Sequence, residues 1–353
     1  MTDFEPIKGR GTADNLPNRF EERRFEYDPD FLDDQGQPEP KTTYIKDSTR
    51  SIIAYNNSPD VGFDASVNVY RGCEHGCVYC YARPTHEYLG YSSGLDFETK
   101  ILVKHDAPRL LRDELNSDRY SPQVLAMSGV TDPYQPVERT LQLTRQCLQV
   151  LSEFRNPVAM ITKNHLVTRD IDILSEMAER NTVNINLSMT TQNSELKKTM
   201  EPRTSHPARR FRTIHELSEQ GISAGVLIAP VIPGLTDHEI PEILEAAASA
   251  GARYAGYILL RLPYQNKDLF ERWLEQRFPD KKAKVLNRIR DMRDGKLNNT
   301  EFGSRMRGTG NYANQISKLF HMSCEKFGLC TEAPALTTEH FRRRRPEQMA
   351  LFT

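Results

Sequence analysis

Residues 73–80 read Cys-Glu-His-Gly-Cys-Val-Tyr-Cys, which places three of the chain's six cysteines within eight positions. Six cysteines scattered at random over 353 residues would produce this spacing about 0.002 times. Six cysteines are too few for a disulfide scaffold, so a cluster of them predicts ligands or catalytic groups. Three closely spaced thiolates in a short loop are typical of a soft metal site.

Two kinds of metal site are compatible with this loop. A structural zinc needs a fourth ligand; His75 lies inside the same loop, and no paired Cys or His knuckle follows nearby. A four-iron cluster held by only three cysteines leaves one iron open for an exchangeable ligand. The spacing favours the open iron-sulfur cluster, and zinc and unliganded thiols are the alternatives.

Outward from this loop, short apolar runs alternate with amphipathic helical stretches. Helix starts are indicated by Thr168, by Pro207 in a first turn, and by Thr236 with Glu239 as a capping box. Strands separated by helices predict parallel pairing with right-handed crossovers. Six such units predict an α/β fold, a partial (βα)6 TIM-like barrel rather than the closed eight-fold form. The predicted strands are 66–70, 124–129, 158–162, 183–189, 224–229 and 253–259.

The segments around this core differ from it in composition and charge. We expect a polar, partly disordered N-terminal arm at 1–60, the barrel core at 61–262, a mainly helical C-terminal extension at 263–330 and a basic tail at 331–353. The net charge is −5 over residues 1–60, −4 over 61–260 and +8 over 261–353. The basic C-terminal quarter permits a polyanionic partner, although a solvated basic helix face is the commoner explanation. No apolar run approaches about 18 residues and no secretory signal is evident, so we expect a cytoplasmic protein with no membrane partner.

The cysteine loop, with Tyr79 just before its last cysteine and the first strand just before it, resembles the radical S-adenosylmethionine (radical SAM) superfamily. Three longer segments carry a more specific resemblance: SPDVGFDASVNVYRGCEHGCVYCYARPTHEYLG at 58–90, SGVTDPYQPVE at 128–138 and EPRTSHPARRF at 201–211. They resemble a bacterial branch related to spore photoproduct lyase and often labelled DNA repair photolyase-like. The resemblance covers about residues 50–262 and implies the partial barrel of that superfamily.

The resemblance also implies cofactors. Cys73, Cys77 and Cys80 would hold a [4Fe-4S] cluster whose fourth iron binds the amino and carboxylate groups of SAM, and Tyr79 would lie beside the adenine. A one-electron donor of the flavodoxin or ferredoxin type would reduce the cluster, and reductive cleavage of SAM would give a 5′-deoxyadenosyl radical. The cofactors would carry the difficult chemistry, and protein contacts would set specificity.

Polar residues follow three consecutive predicted strands, where barrels carry their ligand groups. In the related branch these positions resemble SAM contacts, with Ser128 near the amino group, Lys163 near the carboxylate or ribose, and Ser188 near the ribose hydroxyls. Thr131 and Asp132 are provisional participants, because Ser-Gly-Val-Thr-Asp departs from the Gly-Gly-Glu word of most members. Capping of a strand end by a polar side chain is the alternative for each.

Arg210 is a further candidate for cofactor binding. Arg209 and Arg210, together with Glu201-Pro202-Arg203, are predicted to precede a helix near the expected barrel mouth, where guanidinium groups could bind a carboxylate or phosphate. Solvated charges at a helix start are the alternative.

The remaining cysteines are expected to be thiols of the core. Cys147 lies on the apolar side of its predicted helix. Cys324 and Cys330 are expected to be buried, and only with further ligands could they bind an auxiliary cluster. Spore photoproduct lyase returns a hydrogen atom from a cysteine at the end of its second strand, where this chain reads Ala126-Met127-Ser128. The photoproduct reaction itself is therefore not expected.

The C-terminal tail suggests a partner. Residues 348–352, from Gln348 to Phe352, read Gln-Met-Ala-Leu-Phe and resemble the peptide by which bacterial polymerases and repair proteins dock on the DNA sliding clamp. Folding of the Leu-Phe pair back onto the body is the alternative. These features favour a radical SAM enzyme acting on nucleic acid, with damaged or modified nucleic acid as one expected substrate class. The alternatives are a radical SAM enzyme acting on a protein or small metabolite, and a non-enzymatic iron-sulfur or zinc protein.

Overall fold

The computed structural model describes residues 6–20 and 41–343 of the chain. Its strands are β1 (Thr43–Lys46), β2 (Ile53–Tyr55), β3 (Ala65–Val67), β4 (Tyr70–Arg71), β5 (Lys100–Val103), β6 (Leu125–Met127), β7 (Val158–Thr162), β8 (Val183–Met189), β9 (Ser223–Val231) and β10 (Tyr254–Leu259). Its α-helices are α1 (Asp96–Thr99), α2 (Ala107–Asn116), α3 (Glu138–Leu141), α4 (Leu143–Phe154), α5 (Ile171–Ala178), α6 (Ser194–Met200), α7 (Pro207–Glu219), α8 (Ile240–Ser249), α9 (Asn266–Arg277), α10 (Pro279–Asp291) and α11 (Gly310–Phe327). Short 3₁₀ helices cover Arg83–Leu89, His165–Asp170 and Asp237–Glu239.

The main sheet confirms the partial barrel. Its strand order is β10-β9-β8-β7-β6-β3-β2, and every neighbouring pair from β3 to β10 is parallel. β2 pairs with β3 in the antiparallel direction and forms one edge. Six parallel strands therefore build the wall, and β7 and β8 have the predicted bounds.

The interior of the wall explains why these two strands were predictable. Val158, Met160, Ile185 and Leu187 are fully buried and belong to one continuous apolar core. Burying such a side chain contributes about 1.5–3 kcal/mol, and β-branched residues suit a strand covered by helices. The carboxyl ends of the parallel strands lie together at one end of the barrel, which we call the mouth.

Part of the N-terminal segment belongs to the folded body. β1 joins β5 and β4 in a second, three-stranded sheet, and β2 is the edge strand of the main sheet. The sequence pattern predicted no strand before residue 66, because most side chains of β1 and β2 are exposed and show no apolar alternation. Residues 6–20, which we call the strap, pack on the loop that carries the three cysteines.

The helix signals were partly correct. α7 begins at Pro207 as predicted, and the ring of His206 accepts a hydrogen bond from the N–H of Ala208. The predicted capping box is wrong, because Thr236 accepts from the N–H of Ile232 and Glu239 bonds the segment after β8. Glu239 thus stabilises the mouth of the barrel rather than a helix start.

The C-terminal region is helical through α9, α10 and α11, as predicted. Residues 331–343 then run back along the end of the barrel opposite the mouth. The side chain of Asn184 donates to the carbonyl of Pro334 at 2.7 Å, and the N–H of Arg342 donates to the carbonyl of Phe154 at 2.9 Å. Phe341 packs against the rings of Tyr120 and Phe154.

The edge strands β2 and β10 do not pair with each other. The gap between them is bridged by contacts of Ser58 and Asp60 with Gly303 and Arg305, and we call this set of contacts the seam. Arg305 forms an ion pair with Asp60 and a hydrogen bond with Ser58. The N–H of Gly303 donates to the carboxylate of Asp60 at 2.6 Å.

None of the helices in residues 6–20 and 41–343 has the length and apolar character needed to cross a membrane.

Candidate functional site

The three clustered cysteines lie on one loop that directly follows β4. Cys73 and Cys77 are 7% and 8% exposed, and Cys80 is half-buried. Burial raises the pKa of all three thiols, and Asp132 and Cys77 raise that of Cys73 further, because nearby negative charge disfavours a thiolate. A bound cation would reverse this preference and favour the deprotonated ligands.

The donor set fits an iron-sulfur cluster. Among the described residues, no three His, Cys, Asp or Glu side chains are grouped so that they could hold one metal ion. A four-iron cluster takes one thiolate per iron, so its cysteines need not converge on one point. Gly76 within the loop has φ +65°, and a Cβ there would lie 2.6 Å from the carboxylate of Glu98. The loop can therefore follow this tight path only with glycine at this position.

The segment after β6 fixes the back of the cysteine loop. The carboxylate of Glu74 accepts from the N–H of Val137 at 2.8 Å, and the N–H of Glu74 donates to Gln135 at 3.0 Å. His75 is buried, with Nδ1 3.3 Å from Asp132 and Nε2 3.2 Å from the amide of Asn164. These contacts attach the loop to the ends of β6 and β7.

Asp132 and Thr131 contact protein groups in this structure. Asp132 accepts from the hydroxyl of Thr162 at 2.7 Å and from the N–H of Lys163 at 2.8 Å. Burial alone would raise the pKa of Asp132, but His75 and these hydrogen bonds outweigh it and lower that pKa. The hydroxyl of Thr131 donates to the carbonyl of Tyr70 at 3.2 Å. Both residues hold the cysteine loop against the strand ends.

Two of the predicted strand-end residues meet. Lys163 Nζ lies 2.7 Å from Ser188 Oγ and 3.0 Å from the carbonyl of Ala229, so the ends of β7, β8 and β9 converge on one ammonium. Ser128, at the end of β6, is half-buried with φ 116°, and the structure does not bring it into this group.

A buried carboxylate that sequence reasoning missed organises this group. Glu201 forms ion pairs with Lys163 at 3.2 Å and with Arg210 at 2.5 Å, and it accepts a hydrogen bond from Tyr79. Burial alone would raise the pKa of Glu201, but Arg210 and Lys163 hold it well below its usual range. The prediction named the Glu-Pro-Arg word at 201–203 for its guanidinium and gave the carboxylate of Glu201 no role.

Arg210 lies within the protein interior. Its guanidinium donates to the carbonyls of Ser188 and Ser205 and to Glu201 and Thr204. With these partners Arg210 orients Glu201, and through Glu201 it orients Tyr79 and Lys163. Tyr79 is also buried, and its ring centroid lies 5.7 Å from Lys163 Nζ.

The strap is anchored to a second buried carboxylate that was also missed. Glu98 accepts from the N–H of Gly11 at 2.9 Å and the hydroxyl of Thr12 at 3.1 Å, and it pairs with Arg83 at 2.5 Å. Arg83 also donates to the carbonyl of Cys77 at 3.0 Å. One ion pair thus joins the strap to the cysteine loop.

On its other side, the loop faces the mouth. Tyr81 follows Cys80, is 49% exposed and donates to the carbonyl of Gly129 at 2.8 Å. Arg261, after β10, lies 5.7 Å from the centre of the Tyr81 ring. An aromatic ring and a guanidinium therefore lie side by side next to the cysteines at the mouth.

The other cysteines lie away from this site. Cys147 is fully buried in α4, as predicted, and burial raises its pKa. Cys324 is buried in α11, but the prediction of a buried Cys330 is wrong. Cys330 pairs through its backbone with the segment around Tyr254 at the sheet edge, which leaves its side chain exposed.

Comparison with known proteins agrees with this site. The family model of the radical SAM superfamily matches residues 67–247. An uncharacterized protein of Mycobacterium bovis is 33% identical over 238 residues, which cover 67% of this chain and 69% of the relative. The radical SAM Nα-GlyT isomerase of Pseudomonas phage M6 is 25% identical over 61% of this chain and 43% of its own length.

Among solved structures, spore photoproduct lyase complexed with dinucleoside spore photoproduct shares the fold. The TM-score is 0.58 at 17% identity, over 82% of this chain and 81% of the lyase. The family model covers more than half of the chain and includes all three clustered cysteines. This chain is therefore an enzyme of the radical SAM superfamily.

Proposed function

We propose that this enzyme binds a [4Fe-4S] cluster through Cys73, Cys77 and Cys80, cleaves SAM reductively and acts on nucleic acid. The observation that carries the proposal is the position of three thiols, two buried and one half-buried, on one loop beside Lys163 and its buried partners. A cytoplasmic location belongs to the same proposal.

When bound, the cluster and SAM would supply a 5′-deoxyadenosyl radical. The chain's own residues would bind and orient the SAM molecule. Lys163 would present its ammonium to the carboxylate or ribose, and Ser188 would present its hydroxyl to the ribose. Tyr79 would lie beside the adenine, while Glu201 and Arg210 hold these groups in place. Ser128, Thr131 and Asp132 stay candidates at the end of β6.

The mouth supports a nucleic acid substrate. Arg261 and Tyr81 there offer a cation for phosphate and a ring for base stacking. Residues 261–353 carry a net charge of +8, which would attract a polyanion. The fold is shared with a lyase solved with a dinucleoside photoproduct. Modification of a protein or small metabolite is the second candidate.

The photoproduct reaction itself is not proposed. β6 ends in Ala126 and Met127, so no thiol stands where the lyase's hydrogen donor would be. Cys147 is fully buried in the apolar core and cannot take that role without unfolding α4.

Iron content and SAM cleavage test the chemistry. Anaerobic reconstitution should give about four irons per chain. Cys77→Ala should lose this iron, whereas the control Cys147→Ala, which removes a core thiol, should retain it. Dithionite and SAM should then yield 5′-deoxyadenosine. Uncleaved SAM in the presence of a reduced cluster would contradict the proposal.

Nucleic acid binding is a separate test. Affinity for single-stranded DNA or RNA should fall steeply with salt, as expected for phosphate contacts. Affinity that does not depend on salt would favour a protein or metabolite substrate. Deuterium carried from a labelled substrate into 5′-deoxyadenosine would identify the target carbon.

The sliding clamp peptide from Gln348 to Phe352 lies outside the described residues and stays a prediction. Titration of purified clamp with the last twelve residues of the chain tests it. Absence of saturable binding below roughly 100 μM, or about −5.5 kcal/mol, would remove this partner.

A further inference from the structure

A surface cavity lies beside β10, on the side that α11 covers. Its volume is about 210 Å³, and its walls come from β10, the loop before α11 and α11 itself. None of its lining residues belongs to the cysteine loop or to the group around Lys163. The polar groups that line it come from Tyr257, Arg307, Asn314, Ser317 and His321. The proposed mechanism gives this cavity no role.

Tyr257 gives the cavity a buried aromatic side chain. It is 2% exposed, and its ring packs against that of Phe320 in α11, with 4.7 Å between the ring centres. The guanidinium of Arg307 lies over the same ring, 3.9 Å from its centre. The hydroxyl of Tyr257 has no hydrogen-bond partner within residues 6–20 and 41–343. Because a buried hydroxyl is normally paired, the cavity suits a ligand that accepts a hydrogen bond from it.

The walls of the cavity carry cationic and hydrogen-bonding groups. Arg307 forms no ion pair in the part of the chain that the structure describes, and no lining residue is acidic. Asn314, Ser317 and His321 are spaced three and four positions apart in α11, so they share one face of the helix. Residues 302–324 contain no Asp or Glu. A guanidinium with amide and hydroxyl donors is typical of a site for a phosphate group.

The loop that leads to the cavity also reaches the mouth. The N–H of Leu259, in β10, donates to the carbonyl of Met306 at 3.0 Å, and the sulfur of Met306 accepts from Arg261 at 3.5 Å. Arg261 lies at the mouth beside Tyr81, and Arg307 directly follows Met306. The Nε of Arg261 is buried without a partner among the described residues. Two guanidinium groups available to anions therefore lie along one loop, one at the mouth and one at the cavity.

We propose that the cavity binds a phosphate of the single nucleic acid strand whose target nucleotide enters the mouth. This inference rests on the proposed function, because it takes the nucleic acid substrate as given. Phosphates recur at every nucleotide, so a strand held at Arg261 presents a further phosphate to Arg307, Ser317 and the hydroxyl of Tyr257. The cavity would thus bind the strand that flanks the target nucleotide.

The path from the mouth to the cavity favours a single strand. It turns around the free edge of β10, whereas a duplex is stiff over about 150 base pairs. Phe302 lies on the same loop, is 59% exposed and has the guanidinium of Arg305 at 4.6 Å from its ring centre. Exposed rings of this kind stack on unpaired bases of any sequence. We therefore expect the flanking strand to be bound without sequence preference.

Removal of single contacts tests the site. Arg307→Gln removes the guanidinium, and Tyr257→Phe removes only the hydroxyl and leaves the ring packing in place. Arg119→Gln is the matched control, because Arg119 is exposed and precedes β6, near the end of the barrel opposite the mouth. A labelled single strand of about twelve nucleotides is titrated by fluorescence anisotropy between about 50 mM and about 200 mM salt.

We expect the two variants to differ in their response to salt. Arg307→Gln should bind the strand about fivefold to tenfold more weakly at the lowest salt. Its slope of log affinity against log salt concentration should be shallower by about 0.7, the value for one phosphate contact to a single strand. Tyr257→Phe should bind about twofold to fivefold more weakly with the slope unchanged, because the hydroxyl carries no charge. Arg119→Gln should match the wild type in affinity and slope.

Shorter ligands identify where the contact lies. A dinucleotide occupies the mouth alone, so Arg307→Gln should bind it as the wild type does. Wild-type affinity and slope for the long strand in Arg307→Gln would overturn the proposal. Weaker binding of free thymidine monophosphate with unchanged binding of the strand would also overturn it, because the cavity would then take a free nucleotide. A wild type that cleaves SAM but binds no strand would instead contradict the nucleic acid substrate of the proposed function.

Discussion

Glu201 holds the charges at the strand ends together. It accepts from Tyr79, 122 positions away in sequence, and pairs with Lys163 and Arg210 in the interior. A buried charge is tolerated when partners and hydrogen bonds compensate it, and removing one partner leaves the others uncompensated. The sequence indicated Lys163, Ser188 and Arg210 singly, because a strand end or a helix start is a local signal. The role of Glu201 was not predictable from the sequence, because contacts between distant segments define it.

Glu201→Gln should therefore destabilise the protein. The neutral amide would leave Lys163 and Arg210 buried without a counter-charge, and we expect a loss of about 3–5 kcal/mol in the free energy of unfolding. Urea unfolding of the wild type and the variant measures this loss. Glu195→Gln, which alters an exposed pair with Lys198, is the control and should unfold as the wild type does. Equal stability of Glu201→Gln and the wild type would show that the buried pairs contribute little.

His86 should make stability depend on pH. It is fully buried beside the cysteine loop, and burial lowers its pKa from 6.5 to about 4. The unfolded chain would bind a proton below about pH 6.5, whereas the folded chain would resist it until about pH 4. The contribution of the neutral ring is thus present above pH 6.5 and is lost as pH falls towards 4, by about 3 kcal/mol in total. Urea unfolding between pH 7 and pH 5 should show a shallower pH dependence for His86→Gln than for the wild type.

At the scale of elements, predictability followed local periodicity. β7 is a continuous apolar run and β8 alternates apolar with polar residues, and the bounds of both were predicted correctly. β1 and β2 are short edge strands with exposed side chains, so nothing in their local pattern indicated a strand. The strap has no regular structure of its own, and its place is defined by Glu98 and Arg83, far along the chain. The cysteine loop was predictable because all three of its cysteines lie within eight residues.

Replacement of Gly11 should displace the strap, because Gly11 makes the closest contact between the strap and the cysteine loop. A Cβ on Gly11 would lie 1.8 Å from the carbonyl oxygen of Gly76, so Gly11→Ala has to push the strap away from the cysteine loop. We expect the free energy of unfolding to fall by about 1–3 kcal/mol and proteolysis within residues 6–20 to become faster. Gly62→Ala is the control, because nothing lies within 4 Å of its added Cβ. Proteolysis of Gly11→Ala at the wild-type rate would contradict the tight contact.

At the scale of the whole molecule, the candidate site and the last described segment of the chain lie at opposite ends of the barrel. The cysteine loop, Lys163 and Arg261 are at the mouth, while residues 331–343 cover the other end. This division is typical of barrel proteins, whose ligand groups follow the carboxyl ends of strands. The sequence predicted the barrel and a basic tail, but not that the first part of the tail completes the folded body.

Two truncations separate these parts of the tail. Ending the chain after Arg343 should leave the melting temperature unchanged within about 1 °C, because the described contacts remain. Ending it after Cys330 removes Phe341 and the backbone bonds to Phe154 and Asn181, and should lower the melting temperature by about 5 °C. Thermal unfolding of both truncated proteins measures the difference. Equal melting temperatures would mean that residues 331–343 add no stability.

At the seam, the described barrel wall is closed by side-chain contacts and not by strand pairing. Parting any two neighbouring strands elsewhere in the wall would break a run of backbone hydrogen bonds, whereas parting β2 from β10 would break the contacts that Asp60 and Ser58 make with Gly303 and Arg305. For a long nucleic acid strand that cannot enter by its end, separation along the seam would break fewer hydrogen bonds than separation of two paired strands. If the proposed function holds, widening of the barrel along the seam would let the middle of a nucleic acid strand, and not only its end, reach the proposed cluster.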